Sequence, residues 1–146
     1  MKTNLWKSGK RSVTTHLLDT NAWLRRVSRP DQIHPRARAV LDAPEYVPLA
    51  VSAMSVWEIA LKFHKGKLDL ALPLDAWLHL ALRPGLVEVI PVDAGIARRS
   101  TELPGDFHND PADRFIVATA LAHGLTVVTS DERILAYPHI HTLDTR

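Results

Sequence analysis

Apolar positions along this chain switch repeatedly between short unbroken or alternating runs and a spacing near 3.6. Runs rich in β-branched residues at 14–18, 46–51, 86–92 and 125–129 read as strands, with 139–143 as a weak last one. Between them, helical spacing covers residues up to about 27, then 35–41, 52–65, 74–82, a stretch ending near 101, and 110–123. Gly66 closes one helix, Pro84-Gly85 stops another, and Gly124 stands where a C-terminal cap is expected. Pro48 predicts an edge strand or a strand entry, and 103–109 reads as a loop. Strands that alternate with helices predict a parallel sheet with right-handed crossovers, an α/β architecture. No repeat, low-complexity tract or long linker divides 14–146, so a single domain is expected there.

Composition narrows the classes. A chain of 146 residues with 46% hydrophobic content can bury a real core. The net charge of +2 gives no basic field over the whole surface, so any nucleic-acid face must be local. With no cysteine, disulfides and thiolate metal sites are excluded, and a cytoplasmic, reducing compartment is expected. No apolar run approaches the roughly 20 residues of a membrane helix, so no membrane partner is expected. Residues 1–13 carry Lys2, Lys7, Lys10 and Arg11 without the apolar stretch of a signal peptide, and read as a loose basic extension.

Four acids stand out against this pattern. Asp19 and Asp131 each follow a predicted strand, which in a parallel sheet puts both at one edge, with neighbouring strands only about 4.8 Å apart. Asp19 has two readings: the N-cap of the helix that follows, or an acid at the carboxyl edge where open α/β sheets collect ligands. Glu58 lies more than a turn inside the helix that Ser52 caps, and is spaced i, i+4 from Lys62 as an ion pair would be. Asp113 is the N3 residue of a helix opened by Asp110-Pro111, yet it shares a face with Ile116, Val117 and Ala120. A carboxylate heading that buried row needs a partner, since burying it alone costs several kcal/mol. Arg114 is adjacent but faces elsewhere. If the four converge, each ionised pair at ~4 Å costs about 4 kcal/mol at an effective dielectric of 20. A divalent ion relieves that repulsion, and all-oxygen ligands suit Mg²⁺ or Mn²⁺ rather than zinc.

The stretches Leu18-Asp19-Thr20-Asn21, Ser52 to Lys62 with Gly66-Lys67-Leu68, His108 to Arg114, and Val128 to Arg133 together resemble the PIN domain family, and within it the VapC-type toxins. The resemblance runs from about residue 16 to 143, in order and at family-like spacing. It implies a Rossmann-like parallel sheet with helices on both faces and an Mg²⁺- or Mn²⁺-dependent endoribonuclease. By position, Asp19, Glu58, Asp113 and Asp131 match the catalytic, metal-binding acids, with Thr20 as a hydroxyl neighbour. The resemblance further implies a homodimer, an RNA substrate such as a tRNA or rRNA site, and a cognate antitoxin that fills an apolar groove. The surplus of apolar side chains at 22–27, around Leu41 and on the face bearing Trp57 and Leu61 marks the expected groove. Asn21, Asn109 and Ala112 depart from the His, Arg and Phe common in this branch.

Other positions carry weaker readings. Thr20, Asn21, Lys62 and Ser130 are candidate substrate contacts beside the acids, and Lys62, Lys65 and Lys67 read either as a solvated face or as a phosphate-holding one. Trp23, Trp57 and Trp77 read as core or interface. The eight histidines lack metal spacing, and His108 reads as a loop residue near the site. Two rivals share the α/β pattern: a phosphoryl-transfer domain of receiver or haloacid-dehalogenase type, and a catalytically inactive PIN-like binding module. Asn21 occupies the place where the dehalogenase type needs a second Asp, no Lys follows Thr129 as a receiver requires, and all four acids are present.

Overall fold

The computed structural model describes residues 14–146, so the expected basic extension at 1–13 lies outside the described residues. Five strands form one sheet: β1 (His16–Leu18), β2 (Leu49–Ser52), β3 (Val87–Ile90), β4 (Thr126–Thr129) and β5 (Thr142–Asp144). They lie in the order β3-β2-β1-β4-β5, and every pairing is parallel. Seven helices connect them: α1 (Thr20–Ser28), α2 (Pro35–Asp42), α3 (Ala53–His64), α4 (Leu74–Ala81), α5 (Ala94–Arg99), α6 (Pro111–His123) and α7 (Glu132–Leu135).

Leu17 and Leu18 of β1, Leu49 to Val51 of β2, and Val127 and Val128 of β4 are all buried, because both sheet faces are covered. Leu17, Ala50 and Val127 point to one face and pack with Ile96 of α5, Ile116 and Val117 of α6, and Ile134 of α7. Leu18, Val51 and Val128 point to the other, against Trp23 of α1, Leu41 of α2, Ile59 of α3 and Trp77 of α4. This explains why the runs at 14–18 and 125–129 lack alternation. The chain winds from β1 through β2 to β3 on one side, then returns to lay β4 and β5 on the other, so the winding reverses at the β1–β4 pair. Open α/β sheets bind ligands at the carboxyl ends of strands at such a reversal.

Several boundaries differ from expectation. The strand expected at 46–51 begins at Leu49, because Pro44–Tyr46 form a single 3₁₀ turn with Pro44 at its start. Pro48 therefore precedes strand entry, and β2 is an interior strand rather than an edge. The last strand lies at Thr142–Asp144 rather than 139–143, and the four-residue α7 has no counterpart in the pattern. Gly124 caps α6 in the left-handed region at φ 66° with open space around it, as expected. Among the described residues the tryptophans divide: Trp23 and Trp77 are buried, and Trp57 is 53% exposed.

Ile116 anchors the apolar face of α6 to the sheet beneath Asp113. Ile116→Ala should lower unfolding free energy by about 2–5 kcal/mol, seen as a lower denaturant midpoint at unchanged slope.

Candidate active site

The β1–β4 register places the first acid. Leu18 pairs with Val128, and the backbone N–H of Asp19 extends the ladder by donating to the Val128 carbonyl at 3.0 Å. Asp19 is the N-cap of α1: its Oδ1 accepts from the Ala22 N–H at 2.8 Å. Its Oδ2 accepts from the Thr129 hydroxyl at 2.5 Å. That same hydroxyl oxygen accepts from the Asp131 N–H at 2.9 Å. One buried threonine thus ties together the ends of β1 and β4 and the two acids that follow them.

The remaining acids also satisfy local needs. Asp131 caps α7, accepting from the N–H groups of Arg133 and Ile134. Asp110 caps α6 by accepting from the Asp113 N–H. Ser52 caps α3 through Met54, which puts Glu58 in the second turn, where it pairs with Lys62 at 3.0 Å. The cap and ion-pair readings of these acids therefore hold. One guanidinium nitrogen of Arg133 lies 3.2 Å from Asp131 and 3.7 Å from Asp113, so both carboxylates face the same small space.

Electrostatics carries the argument further. Asp113 is pushed up to about 7, by burial first and then by the charges of Asp110, Asp131, Asp19 and Glu58. Every other acid of the expected cluster acts on this one carboxyl. Asp19 is 5% exposed, and burial raises its pKa against the hydrogen bonds from Thr129 and Ala22. Asp131 is held below the usual carboxylate range: burial opposes its charge, but the side-chain and backbone hydrogen bonds from Arg133 outweigh it. His108 Nε2 approaches Asp113 at 3.2 Å, yet this nitrogen makes no aligned hydrogen bond. Burial and the charge of Arg133 both disfavour the imidazolium, so we read a neutral contact rather than an ion pair.

The donor set suits a hard divalent cation. Carboxylate oxygens are its chemistry, and Asp113 lies under a surplus of negative charge that Arg133 offsets only in part. Among the described residues, no three acidic or histidine side chains stand together as a ready ligand cage. The fit is therefore one of charge and donor type.

The expected substrate contacts fall into different places. Thr20 is buried and its hydroxyl donates to Ser55 at 2.9 Å, fastening α1 to α3. Asn21 is exposed, Lys62 faces Glu58, and Ser130 accepts from Arg25 at 2.8 Å. Sequence reasoning missed Thr129, Arg25 and Arg133, whose contacts join positions by tertiary pairing. It placed Arg114 correctly as facing away: that guanidinium donates to the carbonyls of Ser100, Phe107 and His108 and pins the loop leading into α6. The expected apolar groove also lies elsewhere in part. A groove of about 390 Å³ runs between α1, α2 and the end of α4, with Trp23, Val27, Leu80 and Leu86 in its wall; Trp57 and Leu61 are not part of it, and neither is any of the four acids.

Comparison with known proteins agrees with this fold. A family model described as PIN domain matches residues 16–140. A protein of Mycobacterium tuberculosis named Ribonuclease VapC22 is 32% identical over 127 residues, covering 87% of this chain and 95% of that one. The crystal structure of FitAcB from Neisseria gonorrhoeae is 25% identical with a TM-score of 0.64, covering 90% of this chain and 98% of that one. A toxin–antitoxin complex from Klebsiella pneumoniae superposes with a TM-score of 0.61 at 20% identity, over 90% of this chain and 98% of that one.

The shift at Asp113 has a measurable sign. Its folded pKa of about 7 lies above the ordinary 3.8, so the folded state holds the proton more tightly. The stability this contributes is complete below pH ~4 and is lost as pH rises to ~7. In EDTA, Asp113→Asn should match or exceed the wild type in denaturant midpoint at pH 8, with its advantage shrinking towards pH 4.

Proposed function

We propose a function for this chain from one premise: it belongs to the PIN domain family. It is an RNA endonuclease of the VapC type, and the observation that carries this reading is the tie of Asp19 and Asp131 to one Thr129 hydroxyl, with Asp113 and Asp131 both facing Arg133, at the reversal of the sheet. The relative named a ribonuclease supports it at 32% identity. Glu58 of α3 is the fourth acid. Those four carboxylates would hold Mg²⁺ or Mn²⁺. When bound, such an ion neutralises the cluster, polarises a phosphoryl oxygen and makes water a better nucleophile at neutral pH. The reaction is hydrolysis of a phosphodiester bond without a covalent enzyme intermediate.

The chain's own residues prepare that chemistry. Ala22 and Thr129 engage both oxygens of Asp19, so the direction of this carboxylate is set before any ligand arrives. Lys62 and Arg133 offset Glu58 and Asp131 and limit the net charge that an incoming polyanion meets. Single-stranded or looped RNA is the favoured substrate, because an A-form duplex hides base edges that loops splay out; a tRNA or rRNA site fits this class.

The chain is also the toxin of a toxin–antitoxin pair and works as a homodimer, in which an antitoxin tail occupies the groove between α1, α2 and α4. Leu80 and Leu86 are exposed at its edge, and Arg26, Arg38 and Arg83 outnumber Asp42 along it. An amphipathic segment with apolar anchors and acidic flanks complements that surface. The likeness in fold to a chain solved in a toxin–antitoxin complex is consistent with a second protein here.

Two experiments separate the parts. Purified protein with total RNA should give discrete cuts with Mn²⁺ and none in EDTA. Asp19→Asn keeps the helix cap and removes one charge, so it should abolish cutting, weaken the thermal stabilisation by Mn²⁺, and leave metal-free stability unchanged or raise it by roughly 1 kcal/mol. Full cleavage and unaltered metal stabilisation in Asp19→Asn would end the metal-site reading. For the partner, the product of the neighbouring reading frame should co-purify with wild type, and Leu80→Asp should release it while RNA cutting persists; retention by Leu80→Asp would move the antitoxin to another face.

A further inference from the structure

Four cationic side chains border the acid cluster, and three are engaged. Lys62 pairs with Glu58 at 3.0 Å. Arg133 pairs with Asp131 and reaches Asp113. Arg114 points its donors at three loop carbonyls. Arg25 differs. Its Nη1 donates to the Ser130 hydroxyl at 2.8 Å, a neutral acceptor from a residue 105 positions away. No carboxylate lies within ion-pair distance of Arg25 among the described residues. Its charge nonetheless acts on Asp19, which places it at the edge of the site.

The surroundings of Arg25 are those of a ligand contact. Asn21 lies four residues before it on α1, so the two share a helical face, and Asn21 is exposed. Ser130 sits between Thr129, which holds Asp19, and Asp131. The guanidinium and the Ser130 hydroxyl therefore stand together at the end of β4, with Asn21 on the same face of α1 as Arg25. A guanidinium has five N–H donors in a planar fork; Ser130 takes one and leaves the rest. That fork matches the paired oxygens of a phosphate. A polyanionic strand approaching a carboxylate cluster needs an uncompensated cation beside it, and of the four only Arg25 has neither a carboxylate partner nor a set of loop carbonyls.

We propose that Arg25, oriented by Ser130, is a substrate-positioning residue that holds a phosphate of the RNA strand next to the one being cleaved. This rests on the nuclease reading, and the tests keep the two apart. Binding of a fluorescent single-stranded RNA is measured by anisotropy over a salt series in the cleavage-dead Asp19→Asn background. Adding Arg25→Gln should weaken binding about tenfold, as loss of a hydrogen bond to a charged group does, and lower the magnitude of the salt slope by about 0.7. Arg25→Lys should keep the slope while binding less tightly. Ser130→Ala, which removes the orienting acceptor and leaves the charge, should also keep the slope. In otherwise wild-type protein, Arg25→Gln should raise KM for RNA with Mn²⁺ affinity, read by electron paramagnetic resonance, unchanged.

An unchanged slope and KM in Arg25→Gln, in a protein that still cuts RNA, would overturn the role of Arg25 alone. A fall of about tenfold or more in Mn²⁺ affinity would overturn it too, by showing that Arg25 acts through Asp19. A wild-type protein that neither binds nor cuts RNA removes the nuclease reading and this inference together.

Discussion

A carboxylate almost out of water sits at the middle of this fold, and much of the site exists in relation to it. An unpaired ion placed like Asp19 costs several kcal/mol, and here two donors from opposite directions reduce that penalty: the first turn of α1 and the hydroxyl of Thr129. The first of these is local, but the Thr129 hydroxyl is not available until β1 and β4 lie side by side in register. The pairing in turn depends on the buried apolar residues of the strands and the helices covering both faces. Burial, register and ligand geometry are thus one constraint seen at three scales. At Asp113, burial first and then the charges of the neighbouring acids push the pKa up to about 7.

The acids proposed for the chemistry also serve the local structure. Asp19 and Asp131 cap α1 and α7, and Glu58 completes an ion pair on α3. Local reasoning that stops at a cap or a pair describes each residue correctly and misses what they do together. The signal that distinguishes them is convergence, and convergence is a property of the sheet order.

That distinction sets what could be read in the chain. The parallel α/β class and most helix spans followed from periodicity, and α6 from Asp110-Pro111 to Gly124 was legible because cap, proline and glycine all agree. The short α7 was not, since four residues carry no period and only the Asp131 side chain organises them. The start of β2 shifted because Pro44 begins a tight turn where the residue types suggested extended chain. At the site, the four acids were named through their positions after strands and on helix faces. Thr129, Arg25 and Arg133 were not: a threonine in a strand reads as β-propensity, and an arginine in a helix reads as solvated surface. Their contacts cross 110, 105 and 20 positions of the chain, and no window along the sequence contains them.

The order in which the acids occur has a consequence for how the chain comes into being. Synthesis delivers Asp19 and Glu58 in the first half, Asp113 much later and Asp131 only near the C-terminus. β1 and β2 can pair as they leave the ribosome, but the partner that places Asp19, β4, emerges after residue 129. Until then the nascent polypeptide carries two of four acids and lacks the hydroxyl that aims the first. For a chain proposed to be a nuclease, the sheet order itself delays the assembly of the site until β4 has been made.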